Sequence, residues 1–306
     1  MTMMEKYLKY IFFLTLIINV SSVEARNHSK GKTTLTTSPI ETSLVVDAKT
    51  GKVLHHKNSN VKIYPASLTK IMTLYITFSA IESGKLSMNK KLYVSGNAEK
   101  MRPLKLGLKA GETITVHDAI LGTIVKSAND ASVVLAENIA GSEKNFARLM
   151  TIRARQLGMK DTTFKNASGW HDPEQKTTAI DLAKLSIAIK RDYPQFYHLF
   201  AKSNFTFRGN IIRGHNKVTE NYAGAEGLKT GYTTPAGCNI VTVASRKNRS
   251  LIGIVTGSKS AISRNQKVVQ LLDKHFNNKM VVKQKKKTAP VRVASNLKQR
   301  KRIARS

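Results

Sequence analysis

The sequence is poor in cysteine, in acidic residues and in long apolar segments. Its single cysteine, Cys238, excludes an intramolecular disulfide, and its place at the start of an apolar strand predicts a buried side chain. Only 19 acidic residues oppose 51 Lys and Arg, which gives a net charge of +32. Such a surface attracts polyanions, although a general solvated basic surface without a partner is the alternative.

The only strongly apolar stretch near the N-terminus, residues 11–20, has about half of the roughly 20 residues that a membrane-spanning helix needs. Lys6 and Lys9 precede it, and small residues follow it up to Ala25. This pattern predicts a cleavable signal peptide over residues 1–25, with an uncleaved anchor as the alternative. Either way we expect export to the periplasm or cell envelope, and therefore no nucleic acid partner.

The remaining chain divides by composition into three parts. Residues 26–37 form a polar linker, residues 38–277 a folded domain, and residues 278–306 a basic tail. Residues 279–306 contain eleven Lys or Arg and no acidic residue, so we expect the tail to be disordered. Each basic residue near an anionic surface contributes about 1 kcal/mol, so the tail could hold the protein peripherally on a membrane or wall polymer, or have no partner.

The spacing of apolar residues predicts strands at both ends of the folded domain and helices between them. Strands are expected over 42–48, 52–55, 227–231, 238–245 and 251–257. Helices are expected over 68–81, 146–157, 179–189 and 261–276, with two more within 113–140 separated at 126–130. The order predicts an α+β fold, an antiparallel sheet flanked by helices with an inserted, mostly helical subdomain.

Three short motifs carry candidate chemistry. Ser67 and Lys70 are one helical turn apart at a helix start, where backbone N–H groups favour negative charge on an oxygen. Lys70 becomes a base only when neutral, which burial and a nearby cation favour. Alone, the spacing is common, and Ser67 would be read as a helix cap.

The second motif, Ser127-Ala128-Asn129, lies at the expected break between two helices, where a hydroxyl and an amide can relay a proton and hold a substrate amide. The third, Lys229-Thr230-Gly231, lies in an expected edge strand. Gly231 permits close approach of an extended peptide, and Lys229 attracts its carboxylate. Each is weak alone, with an ordinary loop and an ordinary edge strand as alternatives.

Their order, S-x-x-K, S-x-N, K-T-G, resembles that of penicillin-recognising serine enzymes. The surrounding sequence resembles the low-molecular-mass D-alanyl-D-alanine carboxypeptidases, the S11 serine peptidase family, over residues 36–277. The matching segments are VDAKTG (46–51), PASLTKIMT (65–73), KSANDA (126–131), FKNASG (164–169) and GLKTGYT (227–233). The resemblance implies a β-lactamase/transpeptidase-like fold.

The resemblance also implies a role for each motif residue in hydrolysis of the last peptide bond of peptidoglycan stem peptides. Ser67 would be the nucleophile, Lys70 its base, and Ser127 the proton donor to the departing D-alanine. Asn129 would hold the acyl-side amide. The scheme requires neither metal nor cofactor, and β-lactam antibiotics would be covalent inhibitors.

By the same resemblance, the strand containing Lys229 would bind the substrate. Lys229 and Thr230 or Thr233 would bind the terminal carboxylate, Gly231 would allow close approach, and the backbone N–H groups of Ser67 and Tyr232 would form the oxyanion hole. Two further cations, Lys259 and Arg264, are candidates for a second carboxylate contact. The C-terminal β-rich domain and membrane helix of many relatives are expected to be absent.

Three other functions fit parts of this pattern. Endopeptidase cleavage of D-alanyl cross-links uses the same motifs. A β-lactamase needs a carboxylate that activates the deacylating water, and Glu174 is the candidate. A non-catalytic wall-binding module would not require Ser67, Lys70, Ser127 and Lys229 together.

Overall fold

The computed structural model describes residues 39–277. The predicted signal peptide, the linker and the basic tail lie outside the described residues, so what the sequence indicates for these segments remains a prediction. No helix within 39–277 combines the length and the apolar character that crossing a membrane requires.

The described chain contains nine strands, which form one five-stranded sheet and two hairpins. The strands are β1 (Thr42–Asp47), β2 (Val53–Lys57), β3 (Lys91–Tyr93), β4 (Thr113–Thr115), β5 (Asn204–Phe207), β6 (Asn210–Arg213), β7 (Ala225–Thr233), β8 (Gly237–Arg246) and β9 (Arg249–Ser258). The large sheet has the antiparallel order β2-β1-β9-β8-β7. The two ends of the domain therefore meet in one sheet, as the sequence predicts.

Nine α-helices lie within the described residues. They are α1 (Lys70–Glu82), α2 (Gly96–Glu99), α3 (Val116–Leu121), α4 (Asn129–Ala140), α5 (Glu143–Gln156), α6 (Ala179–Asp192), α7 (Pro194–Tyr197), α8 (Lys217–Asn221) and α9 (Ala261–Asn277). Side chains cap several of them: the Thr115 hydroxyl accepts a 3.0 Å hydrogen bond from the Asp118 N–H, and that of Thr178 accepts one of 3.1 Å from Asp181. Each cap satisfies a backbone donor that the helix leaves free, worth about 1 kcal/mol.

The sheet separates two apolar clusters. The larger one surrounds α1, where ten of the thirteen residues are buried, including Lys70. The smaller one packs α9 on the other face through Val268 and Leu272. Because α1 is enclosed on nearly all sides, its first residue lies in the interior, and this position determines the character of the site described below.

The α+β fold class is confirmed, but two local predictions are wrong. Residues 113–115 form the short strand β4 where a helix was expected, and pair with β3. The break expected over 126–130 is limited to Ser127 and Ala128, because Asn129 and Asp130 already belong to α4. The chain reaches that break through a π-helical turn, Gly122–Lys126.

Candidate active site

A cavity of about 750 Å³ opens beside the N-terminal end of α1, between β7, the break before α4 and the start of α9. Most of the sequence-predicted site residues line it: Ser67, Ser127, Asn129, Thr230, Gly231, Tyr232, Thr233 and Arg264. Lys70 and Lys229 are buried in its wall, and Lys70 contacts Ser67 and Asn129 directly. Lys259 is exposed and does not line the cavity, so of the two further cations only Arg264 reaches it.

Ser67 lies in a 3-10 turn, Ala66–Thr69, that leads directly into α1. The spacing of three residues brings the Lys70 Nζ to 3.0 Å from the Ser67 Oγ. Lys70 also donates to the Asn129 Oδ1 at 2.7 Å and to the Ser168 carbonyl oxygen. These three contacts fix the amine against the hydroxyl; the neutral amine keeps two N–H groups for Asn129 and Ser168 and directs its lone pair to Ser67.

Burial shifts the protonation of Lys70. Removal from water is the largest influence that lowers the pKa of Lys70 well below its usual range, and the charge of the nearby Lys229 lowers it further. Asp130 and Glu143 oppose this shift but do not cancel it. The neutral amine can accept the hydroxyl proton of Ser67.

Lys229 is the second buried lysine of the site. Its Nζ donates to the Thr230 carbonyl oxygen at 3.1 Å. Burial, with a smaller effect of the Arg264 charge, lowers the pKa of Lys229 to about 7. Lys229 therefore changes charge near neutral pH.

Ser127 and Asn129 occupy the helix break. Ser127 has a left-handed backbone conformation (φ 60°), and its buried hydroxyl has no hydrogen-bond partner among the described residues. Asn129 donates from its Nδ2 to the Arg102 carbonyl oxygen at 3.0 Å, while its Oδ1 accepts from Lys70. Ser127 thus lines the cavity with a hydroxyl whose hydrogen-bonding capacity is unused within the described residues.

The structure adds positioning residues to which the sequence assigns no role. The Asp130 carboxylate accepts hydrogen bonds from the N–H groups of Leu106, Gly107 and Leu108 at 2.9 to 3.2 Å. It thereby fixes the loop that contains these three residues next to the wall of the cavity. Gly169 packs on the turn that carries Ser67: a Cβ at Gly169 would lie 1.9 Å from the Ala66 carbonyl oxygen. The FKNASG segment marked Gly169 in the sequence, but its reason is visible only in three dimensions.

Asn239, in β8, links the sheet to the same turn. Its Nδ2 donates to the Tyr64 carbonyl oxygen at 3.0 Å, and its Oδ1 accepts from the Gly257 N–H at 2.9 Å. The backbone oxygen of Asn239 accepts from Arg264 at 3.3 Å. A single buried asparagine thereby holds the serine turn, the sheet and Arg264 in fixed relation.

Glu174 lies away from the cavity. Its side chain is 73% exposed and pairs with the Lys165 Nζ at 2.8 Å. It does not line the cavity that contains Ser67. Glu174 is therefore not placed to activate a water molecule at Ser67.

The fold and the three motifs around one cavity define the class of penicillin-binding serine peptidases. Within that class, this chain belongs to the D-alanyl-D-alanine carboxypeptidase family, peptidase family S11, whose family model matches residues 31–260.

Curated relatives agree with this assignment. The chain is 34% identical over 242 residues to D-alanyl-D-alanine carboxypeptidase DacF of Bacillus subtilis, covering 78% of this chain and 62% of the relative. It is 35% identical over 260 residues to DacD of Escherichia coli, covering 82% and 67%. A D-alanyl-D-alanine endopeptidase of Pseudomonas aeruginosa is more distant, 28% identical over 70% of this chain and 69% of the relative. The chain thus spans about two thirds of the length of these relatives.

Solved structures give the same fold. Penicillin binding protein 6B from Escherichia coli superimposes with a TM-score of 0.73 at 35% identity, covering 79% of this chain and 78% of that one. Penicillin-binding protein D2 from Listeria monocytogenes, in its cefotaxime-bound form, superimposes with a TM-score of 0.70 at 28% identity, covering 77% and 96%.

Proposed function

We propose that the protein is a serine D-alanyl-D-alanine carboxypeptidase that removes the terminal D-alanine from peptidoglycan stem pentapeptides through an acyl-enzyme on Ser67. One observation carries the proposal: the fully buried amine of Lys70 lies 3.0 Å from the Ser67 hydroxyl. An amine that is neutral at this distance is a general base for a serine nucleophile.

In the proposed reaction, the Ser67 Oγ attacks the carbonyl carbon of the penultimate D-alanine while Lys70 takes its proton. The partnerless hydroxyl of Ser127 passes a proton to the departing amine. Lys229, Thr230 or Thr233, and Arg264 attract the terminal carboxylate, and the N–H groups of Ser67 and Tyr232 stabilise the oxyanion. Water then attacks the ester, and Ser67 recovers its proton as the shortened peptide leaves.

β-Lactams would acylate the same serine. The structure of the Listeria monocytogenes relative is a complex with cefotaxime, and this supports our proposal that β-lactams bind in the corresponding cavity here. We expect fluorescent penicillin to label the wild type and not Ser67→Ala. Ser83→Ala removes an exposed hydroxyl after α1 and serves as the control that should label normally.

The decisive experiment incubates the protein with a purified pentapeptide monomer and with a cross-linked muropeptide dimer, followed by mass spectrometry. A carboxypeptidase releases D-alanine from the monomer, whereas an endopeptidase halves the dimer. The carboxypeptidase names of the relatives with higher identity favour the first outcome. Cleavage of neither substrate, or full activity of Ser67→Ala, would refute the mechanism.

The exposed position of Glu174 speaks against β-lactamase activity. We expect the penicilloyl-enzyme to decay slowly, and at the same rate in Glu174→Gln as in the wild type. Rapid nitrocefin turnover that the substitution abolishes would establish the β-lactamase instead.

Export to the cell envelope is part of the proposal and rests on the predicted signal peptide. The basic tail is proposed to hold the mature protein peripherally on an anionic surface. Cosedimentation with anionic lipid vesicles tests this: deletion of residues 279–306 should strongly weaken binding, and so should high salt. Equal binding with and without the tail would remove this part of the proposal.

A further inference from the structure

Two cations of the cavity wall remain unused by the proposed reaction. Lys126, which directly precedes Ser127, and Arg213, the last residue of β6, both line the cavity. Neither side chain has a hydrogen bond or ion pair with another residue of the described chain. Arg264, by contrast, is held by the Asn239 carbonyl oxygen and by the Asn265 side chain.

These two cations come from neighbouring stretches of backbone. Gly214, which follows Arg213, lies against Val125, which precedes Lys126. A Cβ at Gly214 would lie 3.3 Å from the Val125 carbonyl oxygen. The β5–β6 hairpin and the turn before Ser127 therefore adjoin at one part of the cavity wall, and each contributes one cation to the lining.

That part is the end that would hold the leaving residue. His215 lines the cavity next to Gly214. Partial removal of its ring from water lowers the pKa of His215 to about 4, and the charges of the nearby Lys229, Arg264, Lys126 and Lys70 lower it further. The ring is therefore neutral at pH 7, and the cations around it converge on one region. In the proposed reaction Ser127 and Arg264 both contact the leaving residue, so this residue would lie among these charges.

The positive charge exceeds what one carboxylate requires. Arg264 and Lys229 suffice for the terminal carboxylate, and no Asp or Glu is among the described residues that line the cavity. A leaving residue with an ammonium side chain would be repelled there, and one with a carboxylate would be attracted.

We propose that Lys126 and Arg213 form a specificity site for a second carboxylate on the leaving residue, so that, among D-configured leaving residues longer than alanine, the enzyme favours those that carry an acidic group. This inference rests on the proposed function and extends it from the terminal D-alanine to the class of residue that can depart. Two sources supply such chemistry: an acidic D-amino acid at the end of a stem peptide, or the diamino diacid of a cross-link when that residue ends its own peptide and its backbone carboxylate is free.

The test compares tetrapeptide-D-Glu with its neutral isostere tetrapeptide-D-Gln, measuring kcat and KM for release of the last residue. The wild type should favour D-Glu by up to about fivefold in kcat/KM, chiefly through KM, because a solvent-accessible ion pair contributes up to about 1 kcal/mol. The preference should fall as salt is raised. A second pair tests the other source: a cross-linked dimer whose leaving diamino acid ends a tripeptide, with the C-terminal carboxylate of that residue, remote from the scissile amine, either free or amidated.

Arg213→Gln and Lys126→Gln should each reduce the D-Glu preference toward equality. Lys202→Gln removes an exposed charge near the base of the same hairpin but outside this cavity, and should preserve the preference. Labelling by fluorescent penicillin and the melting temperature verify that each variant is folded. Equal use of D-Glu and D-Gln by the wild type, or a preference that survives both substitutions, would overturn the inference while release of D-alanine leaves the proposed function standing.

Discussion

Lys229 is the residue whose charge, after burial itself, most lowers the pKa of Lys70. Both lysines are almost completely inaccessible to solvent, and neither forms an ion pair within residues 39–277. Burying two charged amines without a paired carboxylate costs folding free energy, and this cost is the reason that the pKa values of both lysines are lowered.

The first prediction concerns the pH dependence of acylation. Lys229→Gln removes a positive charge, so the pKa of Lys70 rises and the acid limb of the acylation rate should move to higher pH. The loss of rate should therefore be larger at pH 6 than at pH 9. Stopped-flow acylation by a fluorescent penicillin across this range measures it.

Lys259→Gln is the matched control for that experiment. Lys259 is an exposed lysine outside the cavity, so its removal should leave the pH profile in place. An acid limb at the same pH in Lys229→Gln and the wild type would show that Lys229 does not control Lys70.

The second prediction concerns stability. The pKa of Lys229 is about 7 in the folded protein against 10.5 ordinarily, so the unfolded chain binds more protons between these values and stability rises with pH there. Below pH 7 the folded protein carries the full penalty of the buried charge. Lys229→Met should therefore stabilise the fold by about 1–3 kcal/mol at pH 6, with a gain that shrinks toward pH 10. Melting temperatures of both proteins at pH 6 and pH 9 measure this, and a gain independent of pH would contradict it.

The third prediction tests the contact between Gly169 and the serine turn. Gly169→Ala places a Cβ 1.9 Å from the Ala66 carbonyl oxygen at a backbone φ of +82°. We expect a loss of stability of at least about 2 kcal/mol and strongly reduced penicillin acylation, because the turn that carries Ser67 must shift. Thermal unfolding and acylation rates measure the two effects.

Gly158→Ala separates backbone strain from steric conflict. Gly158 has a similar φ of +74°, but an added Cβ would meet nothing within 4 Å. This variant should lose about 1 kcal/mol and keep its acylation rate. If the two variants behaved alike, the contact with Ala66 would not matter.

The fourth prediction concerns the loop held by Asp130. In Asp130→Asn one side-chain oxygen becomes an NH₂ group, which cannot accept from the loop N–H groups at 2.9 to 3.2 Å. Leaving buried donors unsatisfied should cost about 2–3 kcal/mol and slow acylation, since the adjoining Leu104 lines the cavity. Asp161→Asn, at an exposed carboxylate 3.7 Å from Lys62, should do neither. Equal unfolding free energies of the two variants would exclude the role of Asp130.

Local patterns in the sequence were enough for much of the fold. The β1–β2 hairpin, α1 and the three C-terminal strands follow from apolar spacing. The β5–β6 hairpin was missed because its two-residue turn is Arg208-Gly209, with Arg208 at a φ of +51° where asparagine is the usual signal. Turn chemistry of this kind depends on what the strands pack against.

The sequence was enough to identify most residues of the site, but not how they are arranged in space. The motifs named Ser67, Lys70, Ser127 and Lys229, and resemblance gave their roles. Whether Lys259 or Arg264 reaches the cavity depends on the direction in which α9 leaves β9, which no residue pattern encodes. Asp130 and Asn239 act on backbone groups far away in the chain, and such contacts leave no periodic signal in the sequence.

The pairing of β1 with β9 joins Thr42 to Thr256 across most of the domain. Closing so long a loop delays formation of the sheet, since the entropic cost must be met before the long-range contacts form. Until β9 is available, β1 has only β2 as a partner, and the smaller apolar cluster lacks α9. We therefore expect the serine turn, which Asn239 of β8 anchors, to reach its final geometry only after the C-terminal strands have joined the sheet.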